Sequence, residues 1–522
     1  MKCKLFAALI LTGIIFTPSA WTQQEPQTLN LSLEDCIAKA LKYNLGLAIE
    51  ILNPELSELS VTSAKEKFIP QLSFNYSKRD TQQASYSFLD AADEYSTNQN
   101  NYGGQISQLI PTGGTFTLSV DGYKSDTTRR SQTINPRYGS TLQFDFSQPL
   151  LKNFGFKVNR REIIIANNNL DISEHQLKDS IIDTIYNVEE TYWNLVYNIE
   201  ILKLRQQSLD LARDLLEKNR RAVEVGTMAQ IEILSAESEV ATREADIIQA
   251  EAMVKNSEDT LKTLINIAAE DRSLATARIN PSEMPSFEKK DVSLEDALAA
   301  AYANRNDLKV THINIENNQL NLNYARNQLL PNLNLNASYW SPGVSGTQLQ
   351  YAPGDLFGDP IAIIPGGASD AIKDAFNFRY KNWSLALTLD IPLSSILSRA
   401  SYATAKVNLK QTQLRLKNQE QQLLLEIGNT VRAVQTNFRR IEAYRAARIL
   451  AKRKMEAEEE KLRVGLSTNY YVLQYQREFT NAQTNELKAI VDYNLSLAQL
   501  NKAMGITLDR KNITLTEVLT NR

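Results

Sequence analysis

Two hydrophobic rhythms alternate along this chain. In the first, apolar residues take every second position: Leu72, Phe74 and Tyr76; Leu142, Phe144 and Phe146; Leu333, Leu335 and Ala337; Leu385, Leu387 and Leu389. Such alternation predicts strands with one apolar face, lying either against a core or against lipid. The second rhythm is helical and long. Residues 160–226 and about 398–465 run without a proline, each roughly 100 Å as a helix. Each is followed by a helix of about 41 residues, near 61 Å, ending near Ile267 and Ile506. Helices of about 22 residues before Pro70 and Pro331 would make up the difference if stacked end to end. Equal lengths suit the wall of a tube, whereas a globular domain only a few tens of ångströms across has no use for helices of ~100 Å.

The chain repeats itself. LSLEDCIAKALKYN, leading to FIPQLSFNY, answers VSLEDALAAAYANR, leading to LLPNLNLNASY. Ser32, Glu34, Asp35, Ala38 and Pro70 match Ser293, Glu295, Asp296, Ala299 and Pro331 at one constant offset. FDFSQPLL around Pro149 answers LTLDIPLS around Pro392, and Val225-Gly226 answers Val464-Gly465. One duplicated unit is expected. The resulting division is 23–270 (strands about 71–149, helices about 160–267), a linker at 271–290, 291–508 (strands about 332–392, helices about 398–506) and a tail at 509–522. Ser32 and Ser293, each followed three residues later by Asp35 and Asp296, read as helix N-caps with acidic first turns. The first unit carries an additional hairpin, residues 102–110 and 115–123 around Pro111-Thr112-Gly113-Gly114, which either adds strands to the wall or, the preferred reading, packs outside it. Residues 341–378, rich in Gly, Pro and Asp, read as a long exposed loop. Ala236, Ala241, Ala245, Ala250 and Ala252 give one helix a small-residue side suited to close packing.

Lys2 and Lys4 before an apolar run from Leu5 to Phe16, then Pro18-Ser19-Ala20, predict a secretory signal over residues 1–22. No later stretch is apolar for the ~20 residues of a spanning helix, so any membrane crossing by the mature chain requires closed β-structure. The balance of 57 basic and 60 acidic groups argues against nucleic acid as a partner. Cys36 reads as a small core residue. His175 and His312 stand far apart with no carboxylate or cysteine at metal spacing, and no nucleophile elbow or nucleotide loop is present. Neither a cofactor nor a catalytic activity is expected.

The paired SLED helix starts, the helix-to-strand prolines, the QPL and IPL strand ends and the two VG turns, in duplicated order, resemble the TolC-like outer membrane efflux protein family. The resemblance covers nearly the whole mature chain. It implies a mainly α fold with β: four strands per protomer in a trimeric, twelve-stranded outer-membrane barrel, and long antiparallel helices forming a periplasmic α-barrel. It implies a homotrimer in outer-membrane lipid, acting as the passive exit duct of a tripartite efflux or type I secretion system with a periplasmic adaptor and an inner-membrane pump. The alternative is an envelope or surface coiled-coil protein that forms no channel. The resemblance also makes Val225, Gly226, Thr227, Val464, Gly465 and Leu466 adaptor-docking candidates. Where the family carries an acidic constriction after the second turn, this chain has Tyr471 and Gln474, while Glu232, after the first, keeps a carboxylate. These three are the candidate constriction.

Overall fold

The computed structural model describes residues 28–520 apart from 87–89, 91, 130, 271 and 355–357, so the expected signal segment lies outside the described residues. After a short strand β1 (Thr28–Leu31), helix α1 (Leu33–Tyr43) starts at a reciprocal cap. The Asp35 amide donates to Ser32 Oγ at 3.1 Å, and Asp35 Oδ2 accepts from the Ser32 amide at 3.1 Å. In the second half Ser293 caps α6 (Leu294–Asn304) by accepting from the Glu295 amide, without Asp296.

Helix α2 (Leu45–Glu66) leads into four strands, a single turn α3 (Phe156–Asn159), and then the unbroken α4 (Arg161–Glu224) and α5 (Ile231–Ile265). The second half follows the same order: α7 (Asn306–Asn327), strands, α9 (Ile396–Arg463) and α10 (Asn469–Met504). At 64 and 68 residues, α4 and α9 are about 96 and 102 Å long. The shorter helices do stack end to end. Asn44 Nδ2 donates to the Leu264 carbonyl and Asn266 Nδ2 to the Tyr43 carbonyl, joining α5 to α2. Arg305 Nη1 donates to the Ala503 carbonyl, joining α10 to α7. There Gly505 turns at φ 71°, and a Cβ would meet the Asn304 and Arg305 backbone at 3.1 and 3.2 Å. The helices thus form four parallel columns, α5 with α2, then α4, then α10 with α7, then α9.

Apolar packing is concentrated partway up these columns. Ile181, Ile185, Tyr192, Leu195, Leu261 and Cys36 form one cluster, and Ala301, Ile427, Ile441 and Tyr493 form another. Burial pushes the Cys36 thiol up to about 12, consistent with an inert core residue. A parallel pair, β1 with β6 (Arg278–Pro281), ties the first described residues to the linker region, a contact the sequence pattern did not suggest. Of the small-residue run, Ala236 and Ala250 are buried, whereas Ala241, Ala245 and Ala252 stay uncovered within the chain.

The remaining strands form one antiparallel sheet. β2 (Gln71–Ala84), β3 (Glu94–Leu109), β4 (Thr115–Thr127), β5 (Ile134–Pro149), β7 (Asn332–Gln350) and β9 (Asn382–Asp390) lie side by side in that order. Two expectations fall here. The additional hairpin, β3 with β4, does not pack outside the wall: β3 pairs with β2 along its length and β4 with β5, so six long strands stand where four were expected. Alternation alone could not separate these outcomes, because both give the hairpin one apolar face. Nor is 341–378 a loop throughout. β7 continues to Gln350, a short β8 (Ala362–Ile364) pairs with it, and helix α8 (Ala368–Phe376) packs on the sheet. The pattern hid this strand because its positions under α8 include Gly343, where a Cβ would lie 2.0 Å from the Ala371 carbonyl oxygen. No described helix is long and apolar enough to cross a membrane.

Candidate functional site

The sheet separates its residues by chemistry. Following the pairing from β2 across to β9, one face carries Leu72, Phe74, Ile106, Leu118, Phe144 and Leu387, among others of the same kind. The opposite face carries Ser73, Asn75, Asn101, Ser119, Gln143 and Asn336. Polar neighbours there bond to each other: Asn101 Nδ2 donates to Ser77 Oγ at 3.1 Å, and Ser147 Oγ to Asn336 Oδ1 at 2.7 Å. Apart from α8, no described element covers the apolar face, and Phe74, Trp383, Leu385 and Leu387 are exposed. An apolar face without a core, backed by a polar one, is the arrangement of a barrel wall between lipid and water. On β5 the band from residue 138 to 146 covers ~30 Å of strand. At a barrel tilt of ~40° this rises about 23 Å, close to the apolar height of outer-membrane barrels. Tyr76, Tyr102 and Tyr138 lie at its rim, where Lys78, Asn100 and Lys124 begin.

Both margins of the molecule are unfinished. On α2, Leu45, Ile49, Leu52, Leu56 and Leu59 are exposed, and their spacing of four and three puts them on one stripe. The stripe continues down the same column on α5 through Leu234, Ala241, Ala245, Ile248 and Ala252. At the opposite margin α9 exposes Val407, Leu414, Leu425 and Leu450, again on one side. Above the helices, among the described residues, the outer backbones of β2 and β9 are unpaired sheet edges. Since β2 follows α2 and β9 precedes α9, each margin is continuous from helices into sheet. Of these margins only the small-residue side of α5 was anticipated from the sequence, although the leucine spacing between 45 and 59 also carried the signal.

At the far end of the columns lie the two turns. Gly226 (φ 74°) and Gly465 (φ 77°) are left-handed, with open space where a Cβ would stand, so backbone conformation alone selects glycine. Both turns close alike: the Thr227 amide donates to the Ala222 carbonyl at 2.9 Å, and the Leu466 amide to the Lys461 carbonyl at 2.8 Å. Val225, Val464 and Leu466 point outward and are exposed. The turns touch through Asn469, a buried residue whose Nδ2 donates to Glu232 Oε2 at 3.0 Å and approaches Met228 Sδ at 3.3 Å. Asn469 was not anticipated. Tyr471 is exposed and meets Tyr470 edge-on at 5.5 Å. Gln474 Nε2 donates to Glu478 Oε1 at 2.9 Å; this bond, with Lys454 beside it, holds the Glu478 carboxyl below its usual range. The structure thus gathers all the sequence-selected site residues at one end. His175 bonds to Asn306, and among the described residues no His, Cys, Asp or Glu cluster could hold a metal ion.

A sheet shaped for lipid on one side and water on the other, continued by a wall of ~100 Å helices, defines a membrane duct as the class of protein. The outer membrane efflux protein family model matches residues 115–266 and 297–506, and the chain belongs to that family. As a member of that family it is an outer-membrane efflux protein, not an enzyme. The fold is similar to that of a membrane protein from Pseudomonas aeruginosa (TM-score 0.65, 14% identity, covering 91% of this chain and 93% of that one). It is similar to the Campylobacter jejuni CmeC outer membrane channel (0.63, 15%, 93% and 90%) and to the open state of the Neisseria gonorrhoeae MtrE outer membrane channel (0.59, 17%, 91% and 89%). No curated protein sequence matches the chain.

Proposed function

We propose that three copies of this chain close into one passive exit duct, fed by a periplasmic adaptor and an inner-membrane pump of a tripartite efflux or type I secretion system. The observation that carries this reading is the pair of continuous unfinished margins, α5, α2 and β2 on one side and β9 and α9 on the other. An open sheet edge cannot remain unpaired in lipid, and an exposed leucine stripe favours burial against another helix. Residues 1–22 act as the secretory signal such a location requires, and the two repeats span 23–270 and 291–508, joined by 271–290.

The turns at Val225, Gly226, Thr227 and Val464, Gly465, Leu466 form the adaptor-facing tip. Exposed apolar side chains on tight turns give a docking partner something to bury. Leu466→Asp is therefore expected to leave a folded trimer in the outer membrane and to abolish transport in cells, read as accumulation of a pump substrate. Wild-type transport from the variant would remove the tip as the docking surface.

Near that tip, Glu232 is the candidate carboxylate of the constriction, with Tyr471 and Gln474 as its uncharged neighbours. Its hydrogen-bond partner is a neutral amide rather than a cation. Three copies around an axis would focus negative potential in a narrow aqueous passage. Glu232→Gln should lower cation selectivity and any divalent-ion block in single-channel recordings, while Gln474→Ala changes them little. Unchanged selectivity in a folded Glu232→Gln trimer would locate the charge of the constriction elsewhere.

A further inference from the structure

We infer that the closed barrel has eighteen strands, six from each of three copies, with β9 of one copy paired to β2 of the next. The inference rests on the trimeric reading and departs from the twelve strands that the family resemblance implied.

Four observations converge on this count. First, β3 and β4 share the division of faces seen in their neighbours. Ile106 and Leu118 are on the apolar side, and Asn101 and Ser119 are on the polar side. A hairpin laid against the outside of a smaller barrel would present its polar face to lipid or press it onto an apolar wall. Second, five antiparallel pairings separate β2 from β9, so the two edge strands run in opposite directions. Joining β9 to the next copy's β2 therefore continues the antiparallel order without a break, and the even total closes.

Third, the sheet already has the stagger of a closed barrel. The row that starts at Gln71, the first residue of β2, passes through Ser107, Thr117, Asp145 and Ser338 to Ser384. Ser384 lies six residues short of the matching end of β9 at Asp390. Six residues rise about 20 Å over five strand spacings of about 24 Å, a tilt near 40°, inside the ~35–45° range of barrels. Fourth, widths agree. Eighteen strands at this tilt and ~4.8 Å spacing give a backbone diameter of about 36 Å, whereas twelve give about 24 Å. Twelve helix columns at ~9.5 Å spacing form a ring of about 36 Å. The larger barrel lets α2 pass into β2, and β9 into α9, without a step in radius.

With side chains in place the barrel bore is about 20 Å, wide enough for a helical peptide of ~10–12 Å. The outer-membrane exit then does not sieve small molecules, and selection falls to the tip.

The test uses cysteine pairs on the polar face of the full-length protein in membranes. Ser73, Gln105, Ser119 and Gln143 lie on one row, so Ser73 and Gln143 stand three strand spacings apart, about 14 Å. A disulfide needs Cβ atoms about 4 Å apart. Ser73→Cys with Gln105→Cys should crosslink, and Ser73→Cys with Gln143→Cys should not. Deleting residues 94–127 removes the hairpin from between β2 and β5, and the second pair should then crosslink. Efficient Ser73–Gln143 crosslinking in the full-length trimer, or none between Ser73 and Gln105, would overturn the count. Should the deletion variant not assemble, end-on electron-microscopy averages of the intact protein in nanodiscs decide: a barrel two-thirds of the expected diameter contradicts eighteen strands. A native mass other than that of a trimer would instead refute the assembly on which the count rests.

Discussion

Leu52→Asp combined with Leu56→Asp is expected to yield folded monomers that no longer assemble. Both side chains are exposed in the single chain, so replacing them removes little from its own core and costs the monomer only a few tenths of a kcal/mol. In the proposed trimer each leucine would be buried against a neighbouring copy, a gain of about 1.5–3 kcal/mol per side chain. An aspartate there forfeits that gain and adds the penalty of an unpaired buried charge. With two substitutions at each of three seams, the loss is on the order of 10 kcal/mol or more across the trimer, enough to dissociate it at micromolar concentration. Light scattering after size-exclusion chromatography in detergent reads the mass, and circular dichroism reports whether the helices remain. A stable trimer from the double variant would mean that α2 does not form the seam.

The second large effect is at the buried arginine of the tip-ward columns. Arg243 on α5 pairs with Glu239 at 3.0 Å, donates to the Ser208 carbonyl on α4, and reaches Gln476 Oε1 on α10 at 3.4 Å. It therefore ties three columns together. Desolvation lowers its pKa from the ordinary arginine value, yet a guanidinium remains charged at any physiological pH. Arg243→Ala leaves the largely buried Glu239 carboxylate with Arg477 at 3.8 Å as its remaining cation. Removing one member of a buried pair typically costs about 3–5 kcal/mol. The loss is local, because the apolar cluster described nearest the tip is small: Leu215, Val472 and Leu473, with Leu462 beside them. The variant should show faster amide exchange in the tip-ward part of α4 and α10, and larger single-channel conductance, with the upper columns unchanged. Arg243→Met with Glu239→Leu should recover most of the protection, since it removes both charges. Unaltered exchange in Arg243→Ala would show that the network does not hold the tip.

What the sequence disclosed followed from which signals have a period. The long helices, their glycine turns and the end-to-end stacking were legible because proline-free length is a strong signal and each half repeats the other. The tip residues followed from the resemblance, and the structure gathers them, yet Asn469, which joins the two turns, carried no pattern: a lone asparagine at a helix start is ordinary. Strand alternation showed that an apolar face existed but not what it faced. That required seeing Phe74 and Leu387 on the same uncovered surface, with Asn75 and Asn336 behind it. The hairpin was visible, but its place in the sheet depends on pairing partners distant in sequence, such as Thr117 with Asp145. In β7, small residues under α8 erased the alternation and made a strand look like a loop.

The most direct test of the central claim, that copies of this chain close through their margins into one pore, is single-channel recording in planar bilayers. The wild-type protein and the Leu52→Asp, Leu56→Asp variant would be compared at equal concentration. Discrete conductance steps are expected from the wild type and silence from the variant. Equal activity from both, or none from a wild-type protein shown to be inserted, would contradict it.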